Sequence, residues 1–390
     1  MTRVKKSQSS CTGRLARGAV YAVAVYLTFV ATLVSFPTLQ PPLVYINWIR
    51  YPFGVDWTGP EGGAGYLGFA HDTVRTVRIT TSDNVTLGAW HILPKQPAAV
   101  AYARTAKQDS EEPTARNARF DAQLADADRV FLYFHGNAGN RAHRHRVDFY
   151  KMLQGIGARS HVVAIDYRGF GDSDRVSPTE AGVQRDAIAA WDWVIARGVQ
   201  PAKVVVVGHS LGTGVASFLV NHLSTARNTT GAGLLVLAAY VTMADAALGY
   251  PMLPLLWPFK HHPQLAAKAR SLVAERWDSE VNLSGATSWP VLFLHGAQDF
   301  EIPSWHARRL FRAVVGARLG REVGQDSWVA EGELQDSAVE IKQFAGNEAA
   351  LYQSKEKTPV WFLEVEEAGH NTLADFEIVR TCISAWQGFI

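Results

Sequence analysis

Four consecutive valines, Val204 to Val207, run into Gly208-His209-Ser210-Leu211-Gly212, and an apolar helical pattern follows. The valine run reads as a strand buried on both faces. Ala216, Leu219, Val220 and Leu223 then recur at the spacing of one helix face. A strand and a helix joined by Gly-x-Ser-x-Gly have the form of a nucleophile elbow, in which a strained turn lifts a serine hydroxyl above a sheet. Its glycines allow close backbone approach at positions where a Cβ would collide. The five-residue pattern alone is common, and the elements on either side give it weight.

The rest of the chain supplies a sheet for such an elbow. Short apolar runs occur at Val130–Phe134, Val162–Ile165, Leu234–Leu237, Val291–Leu294 and Val360–Leu363, with helical patterns such as Glu180–Ala196 between several of them. This alternation predicts an α/β fold with a mostly parallel central sheet and helices on both faces. Val74–Thr80 and Val85–His91, alternating around Asp83-Asn84, predict an antiparallel hairpin at one edge. Three stretches interrupt the pattern. Residues 96–128 read as an exposed polar insertion without a core, and residues 317–358 as a polar surface excursion. Residues 240–289, with the apolar run Tyr250–Phe259 broken by three prolines, read as a small cap.

The N-terminus has its own character. Arg3, Lys5, Lys6, Arg14 and Arg17 lie in a tail, residues 1–17, that has no acidic residue, and Gly18–Phe36 is uncharged and apolar. That length is close to the roughly 20 residues needed to span a bilayer. It also exceeds the core of a cleaved signal, about 7–15 residues, so a retained signal anchor is the favoured reading over a cleaved one. The basic flank predicts a cytosolic N-terminus and a translocated remainder, a type II protein with its catalytic domain in the lumen of the endoplasmic reticulum. A connector (37–70, including Tyr51, Trp57 and Pro60) would lead to the main domain, 71–390. Asn84, Asn228 and Asn282 head glycosylation triplets beyond the apolar run. Cys11 and Cys382 fall on opposite sides of the expected membrane, which excludes a disulfide framework. With a net charge of +2 concentrated in the tail, the chain has no nucleic-acid footprint. The sequence does not specify an oligomeric state.

A serine becomes a nucleophile only when a base takes its proton and an acid orients that base. In an elbow architecture the partners follow in the order serine, acid, histidine, each after a strand. Val291–Leu294 leads through His295 to Asp299, and Trp361-Phe-Leu leads to Gly369-His370. Ser210, Asp299 and His370 satisfy the order, with Glu301 as a competitor for the acid. The developing oxyanion needs backbone donors. Leu211 is one candidate, and Asn137, in His135-Gly-Asn-Ala-Gly-Asn140 after a strand, is the other, with Gly136 or Ala138 as alternatives. His143-Arg-His-Arg-Val-Asp148 reads as a solvated basic helix face, and Asp166–Ser173 as a structural turn. Without metal-site spacing around His261-His262 or any other histidine, no metal or organic cofactor is implied.

These motifs together resemble the α/β-hydrolase superfamily, and more closely its membrane-anchored lysophosphatidylserine and monoacylglycerol lipases. The resemblance rests on residues 135–140, Arg146–Lys151, Asp166–Ser173, Gly208–Ala216 and the N-terminal anchor. Two departures are evident. Leu237-Ala-Ala-Tyr240 replaces the family's usual turn after the strand, and residues 240–289 and 317–358 follow no matching pattern. The resemblance implies a serine hydrolase acting on a lipid ester through an acyl-serine, associated with the membrane through residues 18–36. A peptidase or thioesterase using the same triad, and a non-catalytic binding protein on the same fold, are the alternatives.

Overall fold

Alternate valines of the elbow strand face opposite cores. Val204 and Val206 belong to one apolar cluster and Val205 and Val207 to another, and all four are buried. A sheet covered on both faces requires this, since successive side chains point to opposite sides. The computed structural model describes residues 4–49, 58–59, 65–95, 112–250, 262–320, 338–344, 346 and 348–390.

Among these residues the strands are β1 (Val74–Thr80), β2 (Thr86–Ile92), β3 (Arg129–Phe134), β4 (Ser160–Ile165), β5 (Val204–His209), β6 (Gly233–Leu237) and β7 (Val291–Gly296). They are completed by β8 (Val339–Gln343), β9 (Ala349–Ser354) and β10 (Val360–Val365). All lie in one sheet, ordered β1-β2-β4-β3-β5-β6-β7-β10-β9-β8. The six central strands are parallel, and the β1–β2 hairpin forms one antiparallel edge, as the sequence predicts.

The helices are α1 (Val4–Ser35), α2 (Pro41–Tyr45), α3 (Pro113–Ala125), α4 (Arg144–Gln154), α5 (Glu180–Ile195) and α6 (Leu211–Arg227). Then come α7 (Met243–Gly249), α8 (Pro263–Leu272), α9 (Ser279–Gly285), α10 (Trp305–Leu319) and α11 (Glu377–Gln387). One face of the sheet is covered by α5, α6 and α10 through Val183, Val194, Leu219, Leu223, Leu310 and Val314. The other is covered by α4 and α11 through Val147, Tyr150, Leu153, Val379, Ile383 and Trp386. The start of α5 is fixed by Thr179, whose hydroxyl accepts from Gly182 N at 3.2 Å, a common N-cap. Ahead of the sheet, α1 carries an apolar window, Ala16–Leu33, with a mean hydropathy of 1.5 and no buried residue. It is long and apolar enough to cross a membrane.

Several sequence expectations are corrected. The polar stretch 96–128 is not coreless where it is described: α3 buries Phe120 and Leu124, one helical turn apart. Three guanidiniums, from Arg116 and Arg119 of the segment and Arg75 of β1, stack on the Phe120 ring, so charged residues that made the segment look solvated cover an aromatic side chain. The 317–358 excursion contains β8 and β9, an antiparallel pair that extends the sheet beyond β10. Within the expected cap, α9 packs against α6 and α10 as part of the helical layer, while α7 and α8 pack against each other. Residues 251–259 of the Tyr250–Phe259 run, and Tyr51, Trp57 and Pro60 of the connector, lie outside the described residues.

Candidate active site

Ser210 sits between β5 and α6 with φ 52° and ψ −120°, a left-handed conformation that costs a non-glycine residue about 1–3 kcal/mol. The crossing that imposes it is very close. A Cβ on Gly212 would lie 2.0 Å from the Phe134 carbonyl oxygen at the end of β3, and one on Gly208 would lie 2.4 Å from Gly212 O. Only glycine fits at either position. The turn is held from β6 by Ser210 N–H donating to Leu237 O at 2.9 Å.

The other two candidates come from neighbouring strand ends. Asp299 follows β7 and His370 follows β10, and these strands pair in register from Val291 with Val360 to Gly296 with Val365. Beyond the ladder, Ala297 N–H donates to Val365 O at 2.9 Å and Gln298 N–H to Ala368 O at 3.0 Å. These bonds bring the two loops together. His370 Nδ1 lies 2.8 Å from Asp299 Oδ2, and both residues are buried. Asp299 Oδ1 accepts from the Glu301 and Ile302 amides at 3.0 and 2.8 Å. Glu301 lies on the other side of the ring, its Oε2 4.0 Å from His370 Nε2. The acid that holds Nδ1 is therefore Asp299.

The charges follow from these contacts. Burial would raise the Asp299 carboxyl, but hydrogen bonds from His295 and His370 and their charges outweigh it and hold the group well below its ordinary range. Burial would lower His370, yet the Asp299 hydrogen bond and charge, with Glu301 behind them, push it above its ordinary value. Among the described residues Ser210 Oγ has no hydrogen-bond partner.

The turn after β3 faces the serine. A Cβ on Gly136 would sit 3.1 Å from Ser210 Cβ and 3.2 Å from His209 Nδ1. Of the amides considered for an oxyanion, Ala138 N–H is already engaged, by Asn137 Oδ1 at 2.8 Å and by the Tyr45 carbonyl at 3.3 Å. The Leu211, Asn137 and Gly136 N–H groups have no acceptor among the described residues.

Two supporting residues escaped the sequence reading. Arg146 is buried rather than solvated. Its Nη2 donates to the carbonyls of Gly136, Asn137 and Ala138 at 3.0, 2.9 and 2.9 Å, and its Nη1 donates to Asn140 O at 2.7 Å. In a trans peptide the N–H points opposite to the preceding C=O. Drawing the Gly136 carbonyl to the guanidinium therefore turns the Asn137 N–H away from it. Burial lowers the Arg146 pKa from its ordinary value, and a guanidinium starts high enough to keep its charge. The second residue is His209, which burial pushes down to about 3. As a neutral ring it places Nε2 3.1 Å from the His370 carbonyl, tying the elbow to the histidine loop. An i,i+2 alternation of His143 and His145 with arginines looks like a polar face, and only the fold shows which arginine turns inward.

Asp166 braces the far side of the loop, as expected of a structural turn. Its carboxylate accepts from Arg141 N and Nη1 at 2.7 and 2.5 Å, and His135 Nε2 lies 3.2 Å away. Gly171, at φ 50°, leaves room for that carboxylate, since a Cβ there would lie 2.0 Å from Oδ2. Of the sequon residues, Asn84 and Asn228 are exposed in left-handed turns, whereas Asn282 lies on α9 and accepts from Asn221 Nδ2 at 3.1 Å. Among the described residues no cluster of three or more potential metal ligands occurs.

Comparison with known proteins gives a consistent picture. Residues 130–377 match the family model described as "Alpha/beta hydrolase family". The lysophosphatidylserine lipase ABHD12 of Danio rerio is 30% identical over 298 residues, which is 76% of this chain and 72% of that protein. The Mus musculus protein of the same name is 29% identical over 323 residues, covering 83% and 75%. Protein ABHD12B of Homo sapiens is 32% identical over 294 residues, covering 74% and 73%. Among solved structures, an α/β hydrolase from Vibrio vulnificus superposes with a TM-score of 0.51 at 16% identity, covering 76% of this chain and 87% of that one. That likeness speaks to the fold alone. The chain belongs to the α/β hydrolase family, in its ABHD12 branch, and is an ester-hydrolysing enzyme.

Proposed function

We propose that the chain is a membrane-anchored serine hydrolase that removes the acyl chain of a lysophospholipid, with lysophosphatidylserine the first candidate because relatives carry that name. The observation that carries the reading is the 2.8 Å pair of His370 with Asp299, set beside a serine held on a left-handed turn between two unengaged amides. In this mechanism His370 Nε2 takes the Ser210 hydroxyl proton as Oγ bonds to the ester carbon. The Leu211 and Asn137 amides receive the oxyanion. The glycerol oxygen of the lysophospholipid leaves with the proton from His370, as the deacylated glycerophosphodiester, giving an acyl-serine. Water then attacks with His370 again as base, releasing the fatty acid and restoring Ser210. Asp299 stays ionised and holds the ring. The serine–histidine link tightens on substrate binding, since such bonds are commonly loose in empty sites.

The apolar α1 supports an anchor and a site served from the bilayer. A basic flank before it supports a lumenal catalytic domain. Endoglycosidase treatment of the cellular protein is expected to remove mass carried on Asn84 and Asn228, and replacing both asparagines with Gln should remove that shift. An unmodified protein would count against the lumenal placement.

Three measurements test the chemistry. Ser210→Ala should reduce hydrolysis by about a thousandfold or more across a panel of lysophospholipids, monoacylglycerols, thioesters and peptides. Full activity in that variant would refute the assignment, and a preference for amides would favour a peptidase. Because a raised His370 pKa keeps the base protonated to higher pH, the acid limb of kcat/KM should fall above the ordinary imidazole value of about 6.5. Glu301→Gln removes a charge that favours protonation, so the limb should move to lower pH, and an upward shift would contradict the sign. Arg146→Gln should lower kcat by roughly tenfold to a thousandfold with little change in KM, the range for a displaced oxyanion donor. Arg146→Lys should recover part of the loss. Equal loss in kcat and folded fraction would reduce Arg146 to a packing role.

A further inference from the structure

No charged side chain occurs from Gly18 to Ile49, a stretch well beyond the roughly 20 residues a membrane crossing uses. The excess lies after α1, in a short 3-10 turn (Pro37–Leu39), α2 and the residues up to Trp48. This segment has two faces. Pro41 and Tyr45 are buried, whereas Phe36, Leu39, Leu43 and Trp48 are exposed at 59, 48, 51 and 70%. Four large apolar side chains on a short uncharged segment form a surface that water solvates poorly, and tryptophan favours the bilayer interface.

The inner face is fastened to the hydrolase domain at several points. Gln40 Nε2 lies 3.1 Å from Leu33 O near the end of α1 and 3.0 Å from Leu272 O at the end of α8, while its Oε1 accepts from Ala274 N at 2.9 Å. One side chain thus joins the apolar helix to the cap region. The Tyr45 hydroxyl donates to Glu275 Oε2 at 2.5 Å and accepts from Trp277 Nε1 at 3.1 Å. Its ring meets Phe170 edge-on at 6.4 Å, and Asn47 Nδ2 donates to Gly169 O at 3.2 Å. The Tyr45 carbonyl accepts from Ala138 N–H, in the same turn that presents Asn137 N–H to the serine. A single residue of the membrane-side segment therefore contacts both the base of the cap region and the candidate oxyanion loop.

We propose that residues 36–48 form a bilayer seat. Phe36, Leu39, Leu43 and Trp48 enter the headgroup region of the membrane that α1 crosses, and Gln40 and Tyr45 hold the candidate active site at a fixed height above it. This rests on the anchor reading above. The occupant is the lipid surface because the seat follows directly on the apolar helix and Gln40 fixes it to that helix's end. A lysophospholipid then reaches the site from the leaflet without complete transfer through water.

The test uses the full chain in brominated-acyl phosphatidylcholine vesicles, comparing wild type with Leu39→Glu/Leu43→Glu and with Trp48→Phe. The double variant should stay in the membrane pellet after alkaline carbonate and hydrolyse a water-soluble short-chain ester within about twofold of wild type, while losing about tenfold in kcat/KM on vesicle-borne lysophospholipid. Bromine quenching of tryptophan emission should be smaller in Trp48→Phe than in wild type. Equal loss on both substrates would show a merely structural role and overturn the seat, as would unchanged vesicle kinetics or unchanged quenching in an anchored protein. Release of wild type by carbonate would instead overturn the anchor reading, and the seat with it.

Discussion

The site depends on one backbone crossing, where the Gly212 α-carbon passes the carbonyl oxygen of Phe134 closely enough that a Cβ would lie 2.0 Å away. That approach places the start of α6 beside the end of β3. It presses the Leu211 amide toward the turn at residues 135–140 and leaves Ser210 in a conformation that only surrounding contacts can sustain. The strain is offset by burial of the flanking valine strand and helix on two apolar clusters. The fold thus fixes the candidate nucleophile and one candidate oxyanion donor with the same contact.

Electrostatics complete what the crossing starts. A buried carboxylate at Asp299 is tolerable because two amides and two imidazoles surround it, and its charge raises the neighbouring histidine. On the other side of the serine a buried guanidinium, Arg146, collects four carbonyls of the oxyanion loop. An acid therefore sits behind the candidate base and a cation behind the candidate oxyanion donors. This arrangement matches the charges that develop during acyl transfer, negative at the carbonyl oxygen and positive at the imidazole.

The features legible in sequence are those with short-range signatures. The elbow, the hairpin around Asp83-Asn84, the parallel strands and the chain order of Ser210, Asp299 and His370 all follow from periodicity and from residues within a few positions of a strand end. What escaped depends on contacts distant in the chain. Arg146 sits in a run of histidines and arginines that looks solvated, and only packing of α4 under the 135–140 turn buries it. Phe120 sits in a charged stretch and is hidden by arginines from two elements. The edge strand β8 carries Glu340, Lys342 and Gln343, which are compatible with an exposed edge and give a weak strand signal. Tyr45 read as part of a connector, and its partners are more than ninety residues away.

If Ser210 is the nucleophile, an acyl group passes through its Oγ in every turnover. Acid-quenched, early-time peptide mass spectrometry of the full-length protein turning over lysophosphatidylserine tests it most directly. The account predicts an increment equal to the fatty acid minus water on the peptide containing Ser210, accumulating and decaying at rates compatible with turnover. Sustained turnover with no acyl group on Ser210, or with the acyl group on another residue, would contradict it.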